Sequence, residues 1–319
     1  MASATSIFLI SFLEISMLEN PFYYKQRGRK NEGPPVYLQG GMSMTKVKRD
    51  YKSRMFTMIF SDKKELLELY NAVEKRNYSD PELLTINTLE NAIYMSMKND
   101  ISFIIDCRVP LFEHQSTYNP NMPLRFLFYI SDMYSGMTVN QNLYGSKLIQ
   151  IPSPRFIVFY NGQEKRPERE LLKLSDSYLL KDEEVSLELE VEVLNINVGY
   201  NKEIKAACKT LSDYATYVQK VRDYRKEGIP IEEAVEQAIA DCIQDDILKE
   251  FLMKNRAEAK AVSIYEYNEE EHMRMERDEW KIRGAIEMCR DFNLSDDEIV
   301  AKLVEKYNLN EETAREYCK

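Results

Sequence analysis

The chain is poor in the side chains that most protein metal centres and hydrolytic triads use. It carries 2 histidines and 1 tryptophan among 319 residues. With only His114 and His272 to draw on, a histidine-rich zinc centre or a Ser-His-Asp triad is poorly supplied. The five cysteines, Cys107, Cys208, Cys242, Cys289 and Cys318, include no C-x-x-C pair, which excludes a zinc knuckle. Their odd number and wide spacing favour reduced thiols in a cytoplasm over a disulfide framework. No run is long and apolar enough to span a bilayer, so no membrane role is expected. Met1–Leu18 is an apolar leader without a basic start, and Glu14 interrupts it, which speaks against a secretory signal. Positive charge is short as well: 43 Lys and Arg against 53 Asp and Glu give a net charge of −10. That balance argues against a general nucleic-acid coat but leaves room for a local basic cleft.

What is present fits an ordered protein, with 44% hydrophobic residues, 30% charged residues and 21 tyrosines. The length suits two domains, or one domain with appendages. Residues 1–43 read as a non-native or disordered leader. Gln39-Gly40-Gly41 has the coding potential of a ribosome-binding site, and Met42 and Met44 follow it, so translation is expected to start at one of them. Natural peptides from upstream of Met42 would contradict this. Thr45–Arg54 is basic. Ser61 or Asp62 is placed to cap a helix over Lys63–Val73, and Asn77–Pro81 ends that segment. Leu89–Lys98 is apolar and Met-rich, and its type is open.

Ile101–Ile105 and Val109–Phe112 read as strands, rich in branched and aromatic residues. Tyr118–Pro123 is a loop by its prolines and asparagines, and Leu124–Tyr134 a helix carrying Arg125 and Tyr129 one turn apart. Phe156–Tyr160 reads as a buried strand ending at an Asn161-Gly162 turn. Val185–Val193 alternates as a half-buried strand does, and Leu194–Val198 continues it. From Asn201 the pattern turns helical over Ile204–Val221 and Ile231–Met253. Glu269–Glu279 is a dense charge run, a solvated helix face or linker. Trp280–Lys319 holds short helices, with a capping box from Ser295 to Glu298 and a weaker cap at Asn310. Leu294–Leu303 and Leu309–Tyr317 suit either a small DNA-docking unit or a helical capping or oligomerisation module. The surrounding acids favour the second. The chain thus divides into an α/β domain over 44–200, a helical extension over 201–265, an acidic linker or helix over 266–279 and a helical module over 280–319.

The chemistry concentrates in Asn99–Tyr129. Asp100 opens one apolar run, and a second run ends in Glu113-His114-Gln115. Two short strands side by side bring Asp100 and Glu113 to one end of a sheet. Two carboxylates there suit a hard divalent cation, Mg²⁺ or in its place Mn²⁺, and phosphodiester hydrolysis. Alternation puts Glu113 and Gln115 on one face and the His114 side chain on the other, with the His114 backbone carbonyl as a further ligand. Gln115 can orient a water but cannot act as a base. Asp106 falls at the opposite sheet end, beyond a turn at Cys107-Arg108. Glu65, Glu68 and Glu90 are candidates for an added carboxylate, with surface positions as the plainer reading. Arg125 is a planar donor for a scissile phosphate or the partner of a nearby acid, and Tyr129 reads as core.

Asp100, Glu113-x-Gln115 and Arg125-x-x-x-Tyr129 resemble the recombination-promoting nuclease / transposase family of the PD-(D/E)XK nuclease superfamily. The similarity extends over Phe60–Glu74, Glu113–Arg125, Ile151–Gly162 and Asn195-Ile196-Asn197. The resemblance implies a mixed sheet flanked by helices, a restriction-endonuclease-like core, and Mg²⁺-dependent DNA endonuclease activity in recombination or mobile-element biology. It makes Asp100 and Glu113 metal ligands and puts Gln115 where the superfamily usually has lysine. Asn99 stands in place of the proline of a Pro-Asp pair. The reading is a cytoplasmic bacterial DNA endonuclease with catalytic Asp100, Glu113, Gln115 and Arg125. Cutting both strands favours a homodimer, because one site cuts one strand. The rival is a nuclease-fold protein with weak or no catalysis that binds protein partners. The net charge and the missing lysine support it.

Overall fold

Hydrophobic runs bounded by turns assemble one sheet, seen in a computed structural model that describes residues 55–86, 99–181, 184–292, 294–307 and 309–318. The leader, the 45–54 run, Leu89–Lys98 and Glu90 lie outside the described residues. The strands are β1 (Thr85–Ile86), β2 (Ile101–Ile104), β3 (Arg108–Gln115), β4 (Ser153–Tyr160), β5 (Arg169–Lys173) and β6 (Glu190–Asn195). Their order is β1-β2-β3-β4-β6-β5. The inner pairs β3/β4 and β4/β6 are parallel and the outer pairs antiparallel, so the sheet is mixed.

β2 and β3 form a hairpin. Asp106 (φ 45°) and Cys107 (φ 58°) are both left-handed at its tip, the backbone a two-residue turn needs if it is to match strand twist. This places Asp106 at the far end of β3 from Glu113, as expected from the sequence.

Parallel strands are covered on both faces, and their side chains divide accordingly. Val109, Leu111, Val158, Tyr160, Val191 and Val193 pack against helix α3 (Met122–Thr138). Phe112, Ile157, Phe159 and Leu194 point the other way, into a core built with α1 (Met55–Phe60), α2 (Lys63–Glu74), α4 (Lys202–Ala207), α5 (Lys209–Lys226), α6 (Ile231–Gln244) and the first half of α7 (Lys249–Asp291). The helices after Asn201 thus wall one face of the sheet. A third cluster joins the end of α7 (Ile282, Ile286) to α8 (Asp296–Tyr307) and α9 (Glu311–Tyr317) through Ile299, Leu303 and Ala314.

Local chemistry sets the element ends. Asp62 caps α2, accepting from the Lys64 and Glu65 amides at 2.8 and 3.4 Å. Ser295 and Glu298 form the expected capping box. Asn310 caps α9 at 2.7 Å from the Thr313 amide, a fuller cap than its sequence context suggested, because the Asn side chain needs no acid three residues on.

Three sequence readings are corrected. The alternating run at Val185 is not strand until Glu190: Val185 and Leu187 stay 41% and 49% exposed, and only Leu189, Val191 and Val193 point inward. Ile204–Val221 breaks at Cys208, which is extended, and Ile231–Met253 breaks at Asp246 and Leu248, both left-handed. The acidic run Glu269–Glu279 lies inside α7, in line with the helix alternative for it and not the linker, and α7 is bent further upstream, at Asn255 (φ −117°, ψ 22°).

Candidate functional site

The register Ile101↔Phe112 of β2 and β3 carries one step further to set Asp100 beside Glu113. The two acids are interlocked through the backbone. The Asp100 amide donates to Glu113 Oε2 at 3.2 Å, and the His114 amide donates to Asp100 Oδ2 at 2.8 Å. The N–H and C=O of one strand residue point to the same side, so the His114 carbonyl also faces the Asp100 edge. Asp100 is half-buried, and Glu113, His114 and Gln115 are buried.

Helix α3 closes this end. Asn119 accepts from the Asn121 amide at 2.9 Å, and Pro123 sits in the first turn, where its missing N–H costs nothing. The first turns then deliver Met122, Arg125 and Tyr129 on one face. Arg125 Nη2 donates to Glu113 Oε1 at 2.5 Å and to the Tyr129 hydroxyl at 2.9 Å. Gln115 Nε2 lies 2.7 Å from Met122 Sδ. The predicted residues Asp100, Glu113, Gln115 and Arg125 therefore gather in one place, with Tyr129 bonded into the set besides its packing. Asp106, at the opposite end, is not part of it. Glu65 accepts from the Thr210 hydroxyl and Glu68 from the Lys209 amide, so both tie α2 to α5 and stay away from the site. His272 is exposed on α7, 3.2 Å from Glu276.

Burial pulls the Arg125 guanidinium down, but the charge of Glu113 and the Tyr129 hydroxyl outweigh it and hold it above its ordinary value. Burial first, then the Glu113 charge, push the Tyr129 hydroxyl from 10.0 up to about 12. A group whose value rises on folding contributes stability fully below its unfolded value and loses it as pH climbs through the folded one. Stability from Tyr129 is therefore complete below pH 10 and is lost towards pH 12. A tyrosinate absorbance titration is expected to show late-ionising tyrosines and to lose one of them in Tyr129→Phe; an unchanged late fraction would contradict this.

Whether these residues suit a divalent cation is a matter of donor chemistry. Among the described residues no group of three or more His, Cys, Asp or Glu side chains converges. Mg²⁺ asks for less, one or two carboxylates with waters retained. Asp100, Glu113 and the His114 carbonyl meet that need.

Sequence reasoning missed what stands behind the site. The His114 side chain leaves β3 on the opposite face, stacks on Phe56 (5.1 Å, 18°) and lies 3.0 Å from the Tyr214 hydroxyl of α5. Asn161, just past β4, donates to the same hydroxyl at 3.3 Å. His114, Tyr214 and Asn161 line a cavity of about 50 Å³ with Ser116, Arg222 and Glu270. The sequence signal was slight: a polar Asn-Gly pair closing an apolar strand. Gly162 is required there by close approach, since a Cβ would collide with the Ser116 carbonyl and the Tyr160 ring. Gly162→Ala is expected to cost about 1–3 kcal/mol in urea unfolding; no loss would show that the turn yields freely.

Among the described residues no helix is long and apolar enough to cross a membrane. No family model matches the chain, and no curated protein and no solved structure matches it either.

Proposed function

We propose that the protein is a metal-dependent DNA endonuclease with a restriction-endonuclease-like core, of the recombination-promoting nuclease type its motif resembles. The observation that carries this reading is the interlocked pair Asp100–Glu113 at the end of β3, with Arg125 reaching it from α3. Asp100, Glu113 and the His114 carbonyl are the residues that would hold Mg²⁺, with Mn²⁺ as a substitute. When bound, the ion supplies charge neutralisation at a phosphate oxygen and an acidified water. Gln115 orients that water by hydrogen bonding. Arg125, always charged, faces the negative charge that builds on the phosphate. Tyr129 fixes the Arg125 fork. Double-strand cutting brings two such sites together in a homodimer.

One observation favours the rival, a nuclease-fold interaction module: Glu113 is held by Arg125 in an ion pair only 5% exposed on the acid side. A catalytic site needs that pair to share Glu113 with a cation. The deciding experiment is cleavage of supercoiled plasmid by the full chain in Mg²⁺ or Mn²⁺, beside thermal melting with and without metal. Metal-dependent nicking or linearisation and a metal-raised Tm support the endonuclease. Neither effect would move the assignment to the interaction module.

A further inference from the structure

The acid pair is set from behind, through the strand that carries it. We infer that Tyr214 of α5 is a positioning residue for the candidate metal site, acting through His114, an inference that rests on the endonuclease reading for its catalytic meaning. His114 has two jobs on opposite sides of β3. Its amide holds Asp100 Oδ2 at 2.8 Å, and its ring is clamped between Phe56 and the Tyr214 hydroxyl. A rotation of the β3 backbone at His114 moves the amide, and with it Asp100 and the carbonyl that faces the same edge. The Tyr214 hydroxyl resists that rotation, because it also bonds Asn161 Nδ2 at 3.3 Å, and the Asn161 amide donates to Gln115 O at 3.0 Å. One hydroxyl therefore ties His114 of β3, the residue that orients Asp100, to Asn161 at the end of β4. Tyr214 and His114 are 1% and 3% exposed. The helical half of the chain thereby reaches the chemistry without touching it.

A neighbouring tyrosine provides the control. Tyr217, one turn further along α5, is as deeply buried, and its hydroxyl bonds Ser263 Oγ at 2.7 Å on α7. Tyr214→Phe and Tyr217→Phe each remove one buried hydroxyl and keep the ring. Both are expected to lower Tm. Only Tyr214→Phe is expected to raise the Mg²⁺ concentration for half-maximal plasmid cleavage, by about tenfold or more, as loss of an outer-shell support does. Only Tyr214→Phe is expected to speed hydrogen exchange at the His114 amide, read by NMR. Equal metal dependence and equal His114 exchange in the two variants would overturn the inference. A wild-type protein that neither cuts nor binds metal overturns the endonuclease reading alone, and the exchange comparison then still decides whether Tyr214 positions His114.

Discussion

Glu113→Gln is expected to lower metal-dependent cleavage by about 10³-fold, which corresponds to about 4 kcal/mol of lost transition-state stabilisation. The substitution keeps the side-chain volume and an oxygen able to accept from the Asp100 amide, so β2 and β3 stay in register. What it removes is a negative charge. On the proposed endonuclease reading that charge attracts the cation, and it also holds the Arg125 fork next to Tyr129. Asp100→Asn is expected to act as strongly on cleavage, since the half-buried Asp100 is the other carboxylate and its oxygen already orders the His114 amide. Single-turnover cleavage across a Mg²⁺ series separates the two losses. Weaker metal binding shifts the midpoint, and a lost transition-state contact lowers the plateau. Cleavage by Glu113→Gln within tenfold of wild type would mean that Glu113 is no ligand and that its pair with Arg125 is structural.

The outlines of this site were legible because strand chemistry is local. The period of two along Glu113-His114-Gln115 fixed which side chains share a face, and the turn between Ile105 and Arg108 fixed which acid lies at which end of the hairpin. Arg125 and Tyr129 followed from helical spacing. The fold class was legible for the same reason: Phe156–Tyr160 is apolar at every position, as a strand covered on both faces must be. Long-range pairings were not legible. Tyr214 lies 100 residues from His114, and its helix reads as an ordinary amphipathic one. The alternation from Val185 to Val193 misled because period two shows which side chains can share a face, and it does not show whether a neighbouring strand extends far enough to pair. Here β5 ends at Lys173, opposite Glu190, so among the described residues no strand pairs with Val185 or Leu187. The helix breaks at Cys208 and Leu248 carry neither glycine nor proline. Tertiary packing sets them: both residues are buried in the core that covers the sheet.

Arg125→Met is expected to destabilise the fold by about 3 kcal/mol, the low end for breaking a buried ion pair because a quarter of the Arg125 side chain remains in contact with water. Methionine retains much of the stem volume, so the loss is electrostatic: Glu113, 5% exposed, keeps its charge without the guanidinium beside it. The physical argument extends to the double variant. A buried pair is costly to break and close to neutral to replace. Glu113→Gln with Arg125→Met should therefore recover most of the stability lost by Arg125→Met alone, although it cannot recover cleavage. Urea unfolding of wild type, both single variants and the double variant yields the coupling energy directly. A coupling near zero would show that the pair at 2.5 Å contributes nothing to folding. Strong coupling together with lost activity in all three variants would identify one pair serving two purposes: it holds the end of β3 against α3 in the resting protein, and it keeps a carboxylate and a guanidinium at the spacing that phosphodiester chemistry uses.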